Sequence, residues 1–500
     1  MKNLQVKEYC MGRKVVWHRN DLRLRDNKAL SEAGKEALPV YIFDPEWLEN
    51  DLVSDTRIEF VLECIKDINR QYQVKNSRIS LLNGDPIEEL EKLKEKGHEI
   101  YFNKDSNHFR QKMEKKAREK FQGFSGDGVV RNKPGTRKKW DNNADKYFRS
   151  KPPGIPETFE DNPMENQASL DEIRERHDIR PEKKKFGPGG SEEAGKRLQK
   201  FLDKIEKYPS SISSPIKAEK NTSHLSPYIR YGCITRRQAY RHAKWRSKDS
   251  EQTQRYKMFI DRLFWHLNFS QKIEDNPDLF KESVNPVFRD LHKEKRDEEK
   301  IKAWKEGKTG YPLVDASMRA LVETGWINFR MRAMCATFFS YILKQWWKEG
   351  ADFFYKHLID ADVAINYYQW QMHSGLIGVH KHRIYNPTKQ VKENDPRGEF
   401  IKKYVPELRS LNAEQIVKPW EMSEEEQRKT GIEIGKNYPE PIVDHKAEAR
   451  KARKFFKAKK GKAYAAFKDD ELWRKASLSP RHDREKILEK ASEQKSLEDY

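Results

Sequence analysis

Only four cysteines occur in 500 residues, Cys10, Cys64, Cys233 and Cys335, and none forms a CxxC pair. This argues against a disulfide framework and a cysteine-built metal site. No metal is expected, and a reducing cytoplasm fits. No apolar run is long enough to span a bilayer. The opening MKNLQVKEYCMGRK lacks the apolar core of a secretory signal, and Met11 offers an internal start. GxGxxG is absent, so the dinucleotide fingerprint is missing. Charge is plentiful: 100 Lys+Arg stand against 80 Asp+Glu, a formal net charge of +20. That excess favours a polyanion, either nucleic acid or an acidic membrane surface, with plain solubility as the alternative.

Lys14–Arg25 reads as a short buried strand and a charged turn, and residues 26–30 open a helix. Leu38–Asp44, Ile79–Gly84 and Glu99–Asn103 are further apolar runs, separated by helical patterns at Thr56–Gln73 and Asp85–Lys96. Such alternation predicts a parallel, doubly wound sheet covered on both faces, over residues 12–130. Ligands of such sheets lie at the carboxyl ends of the strands. Pro, Gly and charge then dominate, which predicts a surface connector over 131–185. From 186 to 465 the pattern is helical, with Ser191 and Ser226 as expected caps and one helix expected over Asn328–Lys348. Residues 466–500 read as a charged tail, a solvated helix or a loose end.

The most distinctive stretch is Trp347–Gln390. Asp362, Asn366 and Trp370 are spaced by four, so a helix would place acid, amide and indole on one wall. Such a wall suits a flat heteroaromatic ligand with polar edges; a buried helix satisfied internally is the alternative. Asn221–Tyr228 is hydroxyl-rich before a helix, which suits a phosphate or ordinary capping.

TSHLSPYIRYG (222–232), TGYPLVDASMRALVETGWINFRMR (309–332), the Asp360–Trp370 cluster and RIYNPTKQ (383–390) occur in that order. With WHRNDLRLRDNKAL (17–30) and YPEPIVDHKAEAR (438–450), they make nearly the whole chain resemble the photolyase/cryptochrome superfamily. The resemblance implies a Rossmann-like domain followed by an all-α domain holding a U-shaped FAD. It implies that Thr222, Ser223, Leu225 and Ser226 hold the pyrophosphate, with Tyr208 preceding them. Asp360 and Asp362 are the flavin-side acids, Arg332 the partner of Asp360, and Asn366 the residue facing flavin N5. Asparagine there is the usual photolyase choice and favours the reduced anion FADH⁻. Trp370 and Trp347 match the first two members of an electron-transfer chain. The third is missing from Leu291–Lys300, and Trp346, Trp304, Tyr355 or Tyr367 are the candidates to replace it.

The lesion side departs from the family. Trp265, a stacking ring, is kept, but Arg262 stands where a glutamate is usual and His266 where an arginine is. Asn328-Phe329 replaces the usual His-Asn or His pair, and Met372 a second tryptophan. Arg330 and Arg383 match lesion-side basic positions. A buried cation at Arg262 could not accept a hydrogen bond from a pyrimidine N–H. Two functions are expected from these features. The first is light-driven repair of a flipped pyrimidine dimer in DNA by a monomer, with the lesion type open. The second is a cryptochrome-type blue-light receptor without repair activity. The α/β domain would hold a second antenna chromophore (folate, deazaflavin or flavin) near residues 103–106, or none.

Overall fold

The computed structural model describes residues 12–106, 110–131, 137–180, 186–379, 382–476 and 484–490. Five short strands form one parallel sheet: Lys14–His18 (β1), Leu38–Phe43 (β2), Ser80–Asn83 (β3), Glu99–Asn103 (β4) and Gln122–Phe124 (β5). The order is β3-β2-β1-β4-β5. Val16 of β1 lies opposite Pro39 on one side and Tyr101 on the other. Val15 and Trp17 face a core with Val40, Leu90 and Met113. Val16 faces the other way, into a core with Phe60, Ile65 and Ile68 of the helix Asp55–Gln73 (α1). Burial on both faces explains why these strands read as continuous apolar runs. The chain leaves β1 towards β2 and β3, then returns to β4 on the opposite side. The direction of winding therefore reverses between β1 and β4.

Residues 131–185 are more structured than their composition predicts. They contain helices at Arg137–Arg149 and Leu170–Arg176. Between these, Asn162 Nδ2 donates to the carbonyls of Pro39 and Arg78, and Asn166 Oδ1 accepts from Leu81 N–H at 2.9 Å. The segment thus covers the free edge of β3.

From residue 186 the described chain is helical, the elements that matter most being Thr253–Asp275 (α2), Phe329–Thr337 (α3), Trp347–His357 (α4) and Val363–His373 (α5). The single helix expected over Asn328–Lys348 is broken. A π turn at Phe338–Ile342 follows α3, Lys344 takes a left-handed φ of 56°, and α4 starts afresh at Trp347. Two expected caps also move. Gly190, not Ser191, is the N-cap of Ser191–Leu202, because the Ser191 N–H and hydroxyl both bond to Asp67 of α1. Ser226 is the first helical residue of Ser226–Arg230 and makes no side-chain cap bond.

The tail is partly docked. Phe467 and Ala476 are buried, and Tyr368 of α5 donates its phenol to Ala476 O at 2.6 Å. Residues 477–483 and 491–500 lie outside the described residues. The sheet and the helices meet closely: Arg57 of α1 donates to Tyr355 O at 2.5 Å and Lys356 O at 3.1 Å, at the last turn of α4. The sulfurs of Cys64 (α1) and Cys233 lie 3.4 Å apart at this seam, although 169 residues separate them. Among the described residues, no helix is long and apolar enough to cross a membrane.

Candidate functional site

The residues between Asp360 and Trp370 build one wall of a cavity of about 320 Å³. Asp362 is the N-cap of α5, its carboxylate accepting Ile365 N–H at 2.9 Å. Asn366 and Trp370 follow one and two turns on, and all three line the cavity. Asn366 is oriented from behind, Nδ2 donating to Ala351 O of α4 at 2.9 Å. Arg332 of α3 donates from Nη2 to Asp360 Oδ2 at 2.9 Å and from Nε to Ile327 O at 2.9 Å. The second carboxylate oxygen, Asp360 Oδ1, is buried and has no partner within the protein. A buried acceptor of this kind asks for a donor from a ligand.

Facing this wall are Tyr208, Thr222, Ser223, Leu225 and Ser226, and from α2 come Phe259, Arg262, Leu263 and His266. All nine residues expected to hold a cofactor therefore border one space. Its volume falls in the ordinary range for small-molecule sites. Hydroxyls at one end, two acids and an amide at the other, and apolar walls from Ile229, Phe259, Leu263 and Ile365 suit a long, flat ligand with polar edges.

Trp370 is gripped from three sides. Its indole lies edge-on to Phe354 (5.1 Å, 83°) and to Trp304 (6.0 Å, 80°) and rests on the backbone of Gly350 in α4. Trp347 lies one helical turn before Gly350 on the same helix. The sequence reading missed Gly350; a glycine inside a helical pattern is the signal that marks such a close approach.

The substrate side differs from expectation. Arg262 borders the cavity and is exposed rather than buried. Trp265 (41 % exposed), Trp347, Met372, Arg330 and Arg383 do not line the cavity. Arg330 stacks its guanidinium 5.2 Å from the Tyr385 ring. Phe329, 52 % exposed, and His373 form a tilted aromatic pair at the mouth (5.6 Å). Trp326, Gln369, His373 and Arg230 also line the space, none of them singled out by the sequence reading.

Burial first, then the Arg236 charge, pushes His266 down to about 3. Arg236 Nη1 lies 3.2 Å from His266 Nδ1, and an arginine can only donate. Nδ1 is therefore the acceptor, and the imidazole proton sits on Nε2. His373 is held down to about 4 by burial, helped by Arg383 and Arg330, and its Nε2 is buried without a partner. Burial raises the Asp362 carboxyl, against the opposing pull of Arg230. A smaller polar cavity of about 100 Å³ adjoins this one through Arg230, His266 and Asp362. It lies where the sheet reverses its winding and is lined by Asn103, Lys104 and Asp105.

Residues 14–135 match the family described as DNA photolyase, and residues 259–458 the family described as FAD binding domain of DNA photolyase. A deoxyribodipyrimidine photo-lyase of Alkalihalophilus pseudofirmus is 36% identical over 271 residues, covering 54% of this chain and about half (55%) of its own length. A (6-4)DNA photolyase of Arabidopsis thaliana is 28% identical over 505 residues, 90% of this chain and 88% of that one. The crystal structure of a bacterial class III photolyase from Agrobacterium tumefaciens superposes with a TM-score of 0.76 at 26% identity, covering 90% of this chain and 98% of that one.

Proposed function

The chain belongs to the photolyase/cryptochrome superfamily, and we propose that it is a light-driven DNA-repair flavoprotein that splits a pyrimidine dimer. The observation that carries this reading is the cavity itself, in which the hydroxyls of 222–226, the Arg332–Asp360 pair, Asp362, Asn366 and Trp370 converge. FAD fits the donor set: the unpartnered Asp360 Oδ1 accepts from a ring N–H, and the hydroxyls and Arg332 meet phosphate and carbonyl oxygens. When bound, FAD supplies the light absorption and the electron. Thr222, Ser223 and Ser226 anchor the pyrophosphate, Tyr208 and Leu225 close that end, and Asp360, Asp362 and Asn366 fix the isoalloxazine edge. Trp370 and Trp347 carry electrons inward through α4 and α5.

DNA is the partner, bound by a monomer in the cytoplasm. Arg262 at the rim, with Arg330 and Arg383 outside the cavity, meets phosphates, and Trp265 and Met372, also outside it, flank a flipped dimer. Phe329 adds a further exposed ring on which a base can stack. The lesion-side changes at Arg262, His266, Asn328 and Phe329 favour the second reading, a cryptochrome-type receptor that keeps the flavin and repairs nothing. A second chromophore (folate, deazaflavin or flavin) would lie against residues 103–106 at the carboxyl end of β4, beyond the cavity of about 100 Å³ lined by Asn103, Lys104 and Asp105, which is too small to enclose one.

The test uses FAD-loaded, reduced protein under blue light with oligonucleotides carrying either a cyclobutane dimer or a (6-4) photoproduct. Light-dependent return of intact bases from one lesion is expected, read by chromatography. Failure on both lesions, with photoreduction intact, overturns repair and leaves the receptor.

A further inference from the structure

Trp347 is fully enclosed, and its indole Nε1 has no hydrogen-bond partner. A hole placed on this ring has no acceptor to which the indole proton can pass, so a neighbour must refill it. The ring meets Tyr367 of α5 edge-on, with centroids 6.4 Å apart at 84°. Tyr367 is also enclosed, and its phenol donates to Asp352 Oδ1 at 2.7 Å. Asp352 lies on α4 with a side chain 28 % exposed, and Lys348 Nζ holds it at 2.6 and 2.5 Å.

We propose that Tyr367, hydrogen-bonded to Asp352, is the electron donor that refills Trp347, replacing the missing third tryptophan. The proposal rests on the light-driven flavin reading, because photoexcited oxidised flavin, when bound, would be the oxidant that empties Trp370 and then Trp347, before the reduced form used for repair is reached. One electron leaves the Tyr367 ring for the oxidised Trp347, which returns to its neutral form. The phenolic O–H bond breaks, and its proton passes to the Asp352 carboxylate. The products are a neutral phenoxyl radical and a carboxylic acid open to water.

Burial first, then the Asp352 charge, raises the Tyr367 phenol above its ordinary value. The ring is therefore protonated at any working pH, and its oxidation is tied to proton transfer along the existing hydrogen bond. The other candidates are less well placed. Trp304 is buried with an unpartnered Nε1 and adjoins Trp370 rather than Trp347. Trp346 has a buried, unpartnered Nε1 and the Lys293 ammonium 5.8 Å from its ring. Tyr355 stacks on Tyr367 (5.6 Å, 30°), but the Arg57 guanidinium lies 4.8 Å from its ring and opposes a further positive charge. Lys348 also approaches the Tyr367 ring at 5.2 Å, yet its charge is offset by Asp352 itself.

The experiment is blue-light excitation of the FAD-loaded full chain, followed by transient absorption and electron paramagnetic resonance in H₂O and D₂O. A tyrosyl radical is expected in the wild type, forming more slowly in D₂O. Tyr367→Phe keeps the ring packing and is expected to lose that signal, leaving a tryptophanyl radical that decays by recombination. Asp352→Asn keeps the phenol but removes the base, and slows tyrosyl formation. A wild type showing only a tryptophanyl radical, or a tyrosyl signal unchanged in Tyr367→Phe, overturns the proposal alone. Absence of any photoreduction in the wild type overturns the flavin reading, and this proposal with it.

Discussion

Gly350 and Trp370 touch with no room between them: a Cβ built on Gly350 would lie 2.4 Å from Trp370 Cη2. A glycine inside a helix costs about 1 kcal/mol relative to alanine by propensity. Here it is kept because the indole occupies the place of its side chain. Gly350→Ala is therefore expected to destabilise the fold by about 1–2 kcal/mol, overpacking outweighing the gain in helix propensity. Urea unfolding checks this, and a stabilised variant would refute the contact. Flavin photoreduction should fall in the same variant, since the indole must shift.

Arg332 and Asp360 form a pair whose acid is almost fully enclosed. Replacing Arg332 with Met leaves that carboxylate without its cation. Because Arg332 is itself a quarter exposed, the expected loss is about 2 kcal/mol, below the 3–5 of a fully buried pair. FAD should co-purify in lower yield. The flavin-to-protein absorbance ratio and a denaturation curve read the two effects separately.

His266 titrates near 6.5 when unfolded but near 3 in the fold. The unfolded chain therefore binds more protons between these values, and stability falls as pH drops through that window. The contribution is complete above pH 6.5. Between pH 6.5 and 5 it should lose about 1 kcal/mol, allowing for solvent screening. Thermal midpoints across that range should decline in the wild type and flatten in His266→Asn. Two further histidines, the half-buried His373 and the exposed His382, are also lowered and act in the same direction.

The Cys64 thiol is raised well above its ordinary value, by burial and then by the Cys233 hydrogen bond. Thiolate is the reactive form, so Cys64 should resist alkylation in the native protein and react on unfolding. Mass spectrometry after iodoacetamide treatment, with and without denaturant, decides this. Rapid native labelling of Cys64 would contradict the enclosure of the seam.

Binding to duplex DNA should weaken with salt, and Arg330→Ala should lower the slope of log K against log salt by about 0.9, one phosphate contact. Fluorescence anisotropy at several salt concentrations measures it. An unchanged slope would place Arg330 away from the backbone.

Much of the architecture was legible in the chain, for physical reasons. Strands β1 to β3 read correctly because burial on both faces leaves few polar positions, and β4 because Ile100 and Phe102 still form an apolar core. Strand β5, with the sequence Gln-Gly-Phe, carries no such pattern and is a strand only because β4 offers it a partner. The wall of Asp362, Asn366 and Trp370 followed from spacing on one helix. The wall opposite it draws on α2 and on loops distant in sequence, so Trp326 left no periodic trace, whereas His373, three residues after Trp370 on α5, continues the first wall and shares its spacing. The break at Lys344 was invisible because residues 328–348 keep a helical composition while the backbone turns. The contact of Cys64 with Cys233 is likewise a product of the docking of the two halves, beyond the reach of cysteine spacing.

The clamp of Arg57 on the last turn of α4 ties the sheet to the helix that presents Trp347. The apolar core on that side of the sheet also runs without interruption from Val16 through Phe201 and Leu267 to Ile359. The two halves are therefore one cooperative unit, and a protease cut between residues 131 and 185 would nick the polypeptide without releasing either piece.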